Sequence, residues 1–96
     1  MSRYMKLAHK AQRTWRNYSK DPRRVAEQLK RRKAEIEQLP ESELSSHEKV
    51  SRQYLIAALT GLIHAADTLN EPSLDLATYN LNLARIALEG GGERGQ

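Results

Sequence analysis

A chain of 96 residues without cysteine can form one small domain, but it has no disulfide framework and no thiolate metal site. Its formal net charge of +4 conceals an uneven distribution, because residues 1–36 hold twelve basic and three acidic side chains, a formal charge of +9. Residues 37–96 hold four basic and nine acidic side chains, a formal charge of −5. This asymmetry predicts a surface for a negatively charged partner, which could be a nucleic acid, an anionic membrane or an acidic protein surface.

The pattern of apolar residues predicts an all-α fold. Strand-like alternation is not sustained anywhere, and glycine and proline fall at the predicted helix boundaries apart from one glycine inside the third helix. We expect a small bundle of three to four helices with a basic N-terminal half and an apolar central helix. Residues 1–90 would form this single domain, and residues 91–96 a disordered tail.

The first predicted helix spans about residues 2–18, with Ser2 as its cap. Its apolar side chains recur at steps of three and four, and its basic side chains recur at the same steps on a neighbouring face. Two aromatic residues, Trp15 and Tyr18, lie within this basic segment. We expect Trp15 to pack in the core, and stacking on bases is the alternative role.

The second predicted helix spans about residues 22–38. Asp21 is a suitable N-cap, and Pro22 then occupies the first helical position. The four basic residues 30–33 cover a full helical turn. They therefore cannot all face the same partner.

The third predicted helix spans about residues 46–69. Ser45 and Glu48 have the spacing of a capping box, and Pro40 interrupts the chain before them. Residues 54–66 are apolar nearly all round, which predicts the central buried helix. His64 lies in this segment, so we expect a buried, hydrogen-bonded histidine rather than a metal ligand or a catalytic base.

The fourth predicted helix spans about residues 74–89, between a turn at residues 70–73 and three consecutive glycines at residues 90–92. It carries two apolar stripes, and three short helices cannot easily cover both. We predict that one stripe is a protein interface, which makes the chain a homo-oligomer or a subunit of a complex. The predicted interface residues are Leu76, Tyr79, Leu83 and Ile86.

The remaining motifs argue against catalysis. The three histidines have no ligand spacing, the serines before the third helix are explained by capping, and no phosphate-binding loop is present. We expect a non-enzymatic protein without cofactor, metal or small-molecule substrate. The longest uncharged run, residues 53–66, is too short to span a bilayer, and no secretory signal is visible. The expectation is a cytoplasmic protein that does not bind membranes.

The basic N-terminal half is the strongest functional signal. Its charge is nearly all of one sign and rich in arginine, which suits bidentate contacts with phosphates. We predict a nucleic-acid-binding helical module, with a role as accessory subunit of a nucleoprotein complex; DNA and RNA are left open. The alternatives are a solvated charged face, and a protein-binding adaptor, chaperone or inhibitor. The predicted phosphate-contacting residues are Arg3, Lys6, Lys10, Arg13, Arg16, Lys20, Arg23, Arg24, Lys30, Arg31, Arg32 and Lys33.

Overall fold

The computed structural model describes the backbone of residues 2–68 and 71–93 and the side chains of residues 2–68 and 74–89. Within these ranges the chain forms helices and no strand, which confirms the all-α prediction. The elements are α1 (Arg3–Trp15), α2 (Pro22–Glu37), a 3-10 helix (Glu41–Glu43), α3 (Ser46–Thr68) and α4 (Glu71–Glu93).

The predicted caps of the first three α-helices are all formed. The Ser2 hydroxyl accepts the amide of the third residue of α1 at 3.1 Å, and an Asp21 carboxylate oxygen does the same for α2 at 3.3 Å. At the start of α3, Ser45 Oγ accepts the Glu48 amide at 3.1 Å, while Glu48 Oε1 accepts the Ser45 amide at 3.0 Å. This reciprocal pair is a complete capping box.

The end of α1 differs from its prediction. The helix ends at Trp15 instead of Tyr18, and residues 16–20 form turns. Asn17 and Ser19 account for the difference, because short polar side chains compete with the helical backbone for hydrogen bonds.

The ends of α4 also differ. The helix begins at Glu71, inside the predicted turn, because the proline that follows is tolerated in a first helical turn. It continues through Gly90 to Glu93, since glycine weakens a helix without excluding the helical backbone. Residues 94–96 of the predicted tail, and residues 69 and 70, lie outside the described residues.

The core lies between the packed faces of the four α-helices. Helices α3 and α4 form an antiparallel hairpin. Helix α3 also packs against α2, and α2 packs against α1. Four large side chains are 0% exposed, namely Leu29 and Ile36 of α2 and Leu59 and Leu62 of α3. Burying such side chains is the main stabilising contribution in a domain of this size.

A buried polar chain links α1, α3 and α4. The Tyr4 hydroxyl lies 2.7 Å from Ser51 Oγ, and Ser51 donates to the Ala84 carbonyl oxygen at 2.8 Å. Both hydroxyl-bearing residues are 1% exposed. Burial raises the pKa of Tyr4 to about 12, because the phenolate would lose its solvation.

An arginine on α3 holds the end of α2. Arg52 Nη1 donates to the carbonyl oxygens of Leu39, at 2.7 Å, and Ile36, at 3.3 Å. Its Nη2 also lies 3.6 Å from a carboxylate oxygen of Glu41. The guanidinium therefore adds a donor to the Ile36 carbonyl, which also accepts the Leu39 amide, and binds the Leu39 carbonyl just beyond the end of α2.

Burial covers only one side of α3. Leu55 and Leu62 lie in the core, whereas Val50 and Tyr54 are 44% and 36% exposed. His64 is also exposed, so the prediction that this histidine is buried is wrong. The reason is the size of the chain, because a domain of this length has too few helices to cover both sides of an apolar helix.

Candidate nucleic-acid interface

A row of four basic side chains runs along one face of α1. Arg3, Lys6, Lys10 and Arg13 are spaced three, four and three residues apart, the repeat of a single helical face. Tyr4, four residues before the buried Ala8, belongs to the opposite side that enters the core. At 1.5 Å per residue the row is about 15 Å long. All four cations are exposed.

This row forms one wall of a groove between α1 and the end of α2. The groove has a volume of about 660 Å³. Leu7 lines it beside the cations of α1, and Glu35, Gln38 and Leu39 line it from α2 and the residues that follow. Because Arg52 binds the backbone at Leu39, the second wall is anchored to α3.

The cations of the groove differ in how they are paired. Arg3 Nη1 contacts both carboxylate oxygens of Glu43, at 2.9 and 3.1 Å. Lys6, Lys10 and Arg13 make no ion pair with a carboxylate of the described residues. An incoming phosphate would therefore meet three cations that form no ion pair with a described carboxylate, because Glu35, which also lines the groove, is paired with Arg32.

A second group of basic residues surrounds the connection from α1 to α2. These side chains are exposed, and within the described ranges none forms an ion pair. Asp21 is the one acid in this connection, and its carboxylate already caps α2. The group extends the positive surface beyond the end of α1. Its members are Arg16, Lys20, Arg23 and Arg24.

The basic run on α2 has a different environment. Lys30 pairs with Glu27 at 2.9 Å, and Arg32 pairs with Glu35 at 3.1 Å. Lys33 pairs in the same way with Glu37 on the same helix, at 3.3 Å. The hydrogen bond between Lys30 and Glu27 lowers the pKa of the glutamate and raises the pKa of the lysine. Three cations of this run are thus locally neutralised.

Only one residue of that run, Arg31, is exposed without an ion pair to a described carboxylate. The twelve predicted contact residues consequently fall into two groups. Eight are exposed cations without a described carboxylate partner, and Arg3, Lys30, Arg32 and Lys33 are paired. The spacing of glutamates on α2 indicates its three pairs from sequence, but the pairing of Arg3 with Glu43 joins residues 40 positions apart.

The two aromatic residues of the basic half pack against the core. Trp15 and Tyr18 are both half-buried. Burial raises the pKa of Tyr18, as expected for a phenol that has lost part of its solvent. The packing of Trp15 follows the sequence-based expectation, and neither ring is a freely exposed platform for a base.

The predicted interface stripe of α4 is largely exposed to solvent. Leu76, Tyr79 and Ile86 are 61%, 60% and 58% exposed, and Leu83 is half-buried. The other stripe of α4 enters the core, with Ala77 and Ala84 nearly fully buried. Val50 and Tyr54 of α3 are further exposed apolar residues. The apolar pattern of residues 54–66 predicts that Tyr54 is buried, whereas no sequence pattern indicates the exposure of Val50.

Comparison with known proteins identifies no relative of this chain. No protein-family model, curated protein or solved structure matches the chain. Among the described residues, no three histidine, aspartate or glutamate side chains come together as a metal-binding group. In the same part of the chain, no helix has the length and apolarity needed to cross a bilayer.

Proposed function

We propose that the chain is a non-enzymatic nucleic-acid-binding module that contacts phosphates through the groove between α1 and α2. The observation that carries the proposal is the row of Lys6, Lys10 and Arg13, three exposed cations on one groove wall without a described carboxylate partner. A surface with mixed, mutually paired charges would be the ordinary arrangement for a helix that only faces solvent.

The dimensions of the row suit a phosphate backbone. Phosphates of one strand rise by about 3.4 Å each along the axis while the strand winds around the duplex, so a straight row of about 15 Å is long enough to contact more than one of them. Cations at the connection between α1 and α2, including Arg16 and Arg23, would reach further phosphates. Contacts of this kind position a protein on nucleic acid without reading its sequence.

The expected binding is therefore strongly dependent on salt and weakly dependent on sequence. Half-buried aromatic rings and a groove in which half of the lining residues are lysine or arginine offer little that could distinguish one base from another. An accessory subunit of a nucleoprotein complex needs this type of affinity. The same chemistry serves DNA and RNA, so binding to both a labelled duplex and a labelled single strand should be measured.

The test neutralises the unpaired wall of the groove. Replacing Lys6→Gln, Lys10→Gln and Arg13→Gln removes three positive charges from exposed positions and should leave the helical circular dichroism unchanged. Each lost phosphate contact should flatten the slope of log K against log salt by about 0.9 for a duplex, so the triple variant should lose up to about 2.7 units of slope.

A control variant removes the same charge elsewhere. Lys30→Gln, Arg31→Gln and Lys33→Gln also lower the net charge by three, but both lysines are already paired with glutamates. We expect this control to keep most of its affinity and salt slope. Equal losses in the two triple variants would indicate a general effect of net charge and would contradict a specific role for the groove.

The exposed stripe of α4 favours a second candidate, a protein-binding adaptor, chaperone or inhibitor. Leu76, Tyr79 and Ile86 would then dock on a larger protein partner, and the basic groove would face an acidic patch on it. Exposed apolar stripes on small proteins commonly mark such contacts. This candidate would be favoured if the wild-type chain bound neither duplex nor single strand at low salt.

A further inference from the structure

The large exposed apolar side chains of the described residues lie on α3 and α4. Five large apolar residues there are at least one-third exposed, and no such residue is found on α1 or α2. We call this surface, together with the half-buried Leu83, the outer face of the hairpin. Its members are Val50, Tyr54, Leu76, Tyr79, Leu83 and Ile86.

The hydrogen bond from Ser51 to the Ala84 carbonyl fixes the register of the hairpin. Around the axis of α3, Tyr54 lies about 60° from Ser51, and around the axis of α4, Leu83 lies about 100° from Ala84. Both rotations have the same sense when each helix is viewed from its own N-terminus. Because the two helices are antiparallel, these rotations have opposite senses when both helices are viewed from the same end. Both rotations therefore lead to the same side of the hairpin, so the apolar residues of the two helices form one continuous surface.

We propose that a second copy of this chain covers the outer face, in a two-fold symmetric dimer with α4 packed antiparallel against α4 of the partner. The stripe residues Leu76, Tyr79, Leu83 and Ile86 are spaced three, four and three residues apart. This is the a and d spacing of a helix that packs side by side with another helix of the same pattern.

A two-fold axis near Leu81 gives every stripe residue an apolar neighbour. Leu76 then faces Ile86 of the partner subunit, and Tyr79 faces Leu83 of the partner subunit. Aromatic and aliphatic side chains would fill the contact from both chains. A parallel pairing would instead place each residue against its own copy.

Charge favours the same arrangement. The charged residues that flank the described stripe are Asp75, Arg85 and Glu89. Antiparallel packing places Asp75 of the partner subunit within about 3 Å, measured along the axis, of the levels of both Arg85 and Glu89, so that one attraction accompanies one repulsion. Parallel packing would place each charged residue beside its own copy.

The distribution of charge favours contact between two copies through the outer face of the hairpin. Each chain carries a formal charge of +4, and most of its exposed cations lie on α1, on α2 and on their connection. Approach through those surfaces would bring like charges together. The outer face carries no cation among its members, so two copies can meet there without strong repulsion.

The available area meets the requirement of a dimer. A large side chain offers about 200 Å² when fully exposed, so the exposed fractions of Val50, Tyr54, Leu76, Tyr79 and Ile86 amount to about 500 Å² of apolar surface per chain. A contact that covered all five side chains on both chains would bury about 1,000 Å², which is the lower limit for specific protein interfaces.

The experiment uses charge pairs to test both the face and the direction of packing. Leu76→Glu with Ile86→Glu places like charges opposite each other in the antiparallel dimer, whereas Leu76→Glu with Ile86→Lys places opposite charges there. Both positions are exposed, so the fold should be retained. Sedimentation equilibrium over a wide range of chain concentrations should report a dimer for the wild type. The like-charge variant should dissociate at least about 100-fold more readily, as expected when two apolar anchors are lost.

The opposite-charge variant should dissociate less readily than the like-charge variant, because it loses the same apolar anchors but its introduced charges attract across the axis. The control Thr60→Glu with Thr78→Glu adds the same charge at exposed positions away from the outer face, and it should remain dimeric. The milder Tyr79→Ser provides a second variant that should also weaken the dimer.

Three results would overturn the proposal. A monomeric wild type would show that a second copy does not cover the outer face, and a different protein would then be the candidate partner. A like-charge variant that stays dimeric would place the contact elsewhere on the chain. An opposite-charge variant that dissociates as readily as the like-charge variant, with a dimeric control, would refute the antiparallel direction.

If the function proposed above is also correct, the dimer presents two basic grooves. Two grooves that reach the same strand bind with a higher apparent affinity than one, because the second contact becomes intramolecular. The sedimentation experiment contains no nucleic acid, so its failure and the failure of the proposed function can be distinguished.

Discussion

The buried chain from Tyr4 through Ser51 to Ala84 supports a test based on the direction of its hydrogen bonds. Ser51 has a single hydroxyl hydrogen, and it is donated to the Ala84 carbonyl at 2.8 Å. Tyr4 must therefore be the donor in its 2.7 Å contact with Ser51 Oγ. Removing the acceptor and removing the donor should then have unequal effects on stability.

The two substitutions leave different groups behind. Ser51→Ala strands the Tyr4 hydroxyl in a position that is 1% exposed, and an unsatisfied buried donor costs about 1–3 kcal/mol. Tyr4→Phe leaves Ser51 bonded to the Ala84 carbonyl, so it should cost only about 0.5–1.5 kcal/mol. Adding Tyr4→Phe to Ser51→Ala should restore part of the lost stability, because no donor is then left unsatisfied.

Alkaline pH provides an independent measure of the same group. An unfolded tyrosine ionises near its ordinary pKa of 10.0, whereas burial raises the pKa of folded Tyr4 to about 12. The folded state therefore holds this proton more tightly, and its contribution is complete below pH 10 and lost as the pH rises towards 12. At 1.36 kcal/mol for each unit of pKa, the loss is about 2–3 kcal/mol.

Urea unfolding followed by circular dichroism can measure the free energy of unfolding of all four proteins in this double-mutant cycle, namely the wild type, the two single variants and the double variant. Repeating the wild type and Tyr4→Phe at intervals between pH 9 and pH 12 isolates the tyrosine, since the lysines are common to both. Equal costs for the two single substitutions would refute the assigned direction of the hydrogen bonds. If the wild type and Tyr4→Phe lost the same stability between pH 9 and pH 12, the raised pKa of Tyr4 would be refuted.

Two further predictions concern the groove and the core. Glu43→Gln should release Arg3 and raise the affinity for a labelled duplex about two- to tenfold at low salt, with a steeper salt slope. If Glu43→Gln bound the labelled duplex with the same affinity and salt slope as the wild type, Arg3 would not belong to the contact surface. Leu59→Ala should lower the free energy of unfolding by about 2–5 kcal/mol, because this side chain is 0% exposed. A melting temperature equal to that of the wild type would show that the interior around Leu59 is not tightly packed.

Local chemistry was readable from the sequence alone. Ser2, Asp21 and the Ser45–Glu48 pair mark the starts of three helices, and each cap forms as its residue type predicts. These contacts join residues within one helical turn, so their geometry follows from the backbone itself. The two stripes of α4 were predictable for the same reason, because residues on one helical face recur at fixed steps.

The separation of the basic residues into paired and unpaired groups depended partly on tertiary structure. The pairs on α2 follow from spacing, since Lys30 and Glu27 share one helical face. The pairing of Arg3 with Glu43 requires the start of α1 to lie beside the 3-10 helix, which no local pattern indicates. The groove itself exists only because α1 crosses the end of α2, where Arg52 holds the backbone.

The exposure of α3 was decided by tertiary structure alone. Tyr54 and His64 lie in a segment whose composition predicts burial on every side, yet both are exposed to solvent. Periodicity identifies which residues share a face, but the number of neighbouring helices determines how many faces are covered. With α2 and α4 packed on one side and no further helix among the described residues to cover the other, the opposite side of α3 faces solvent.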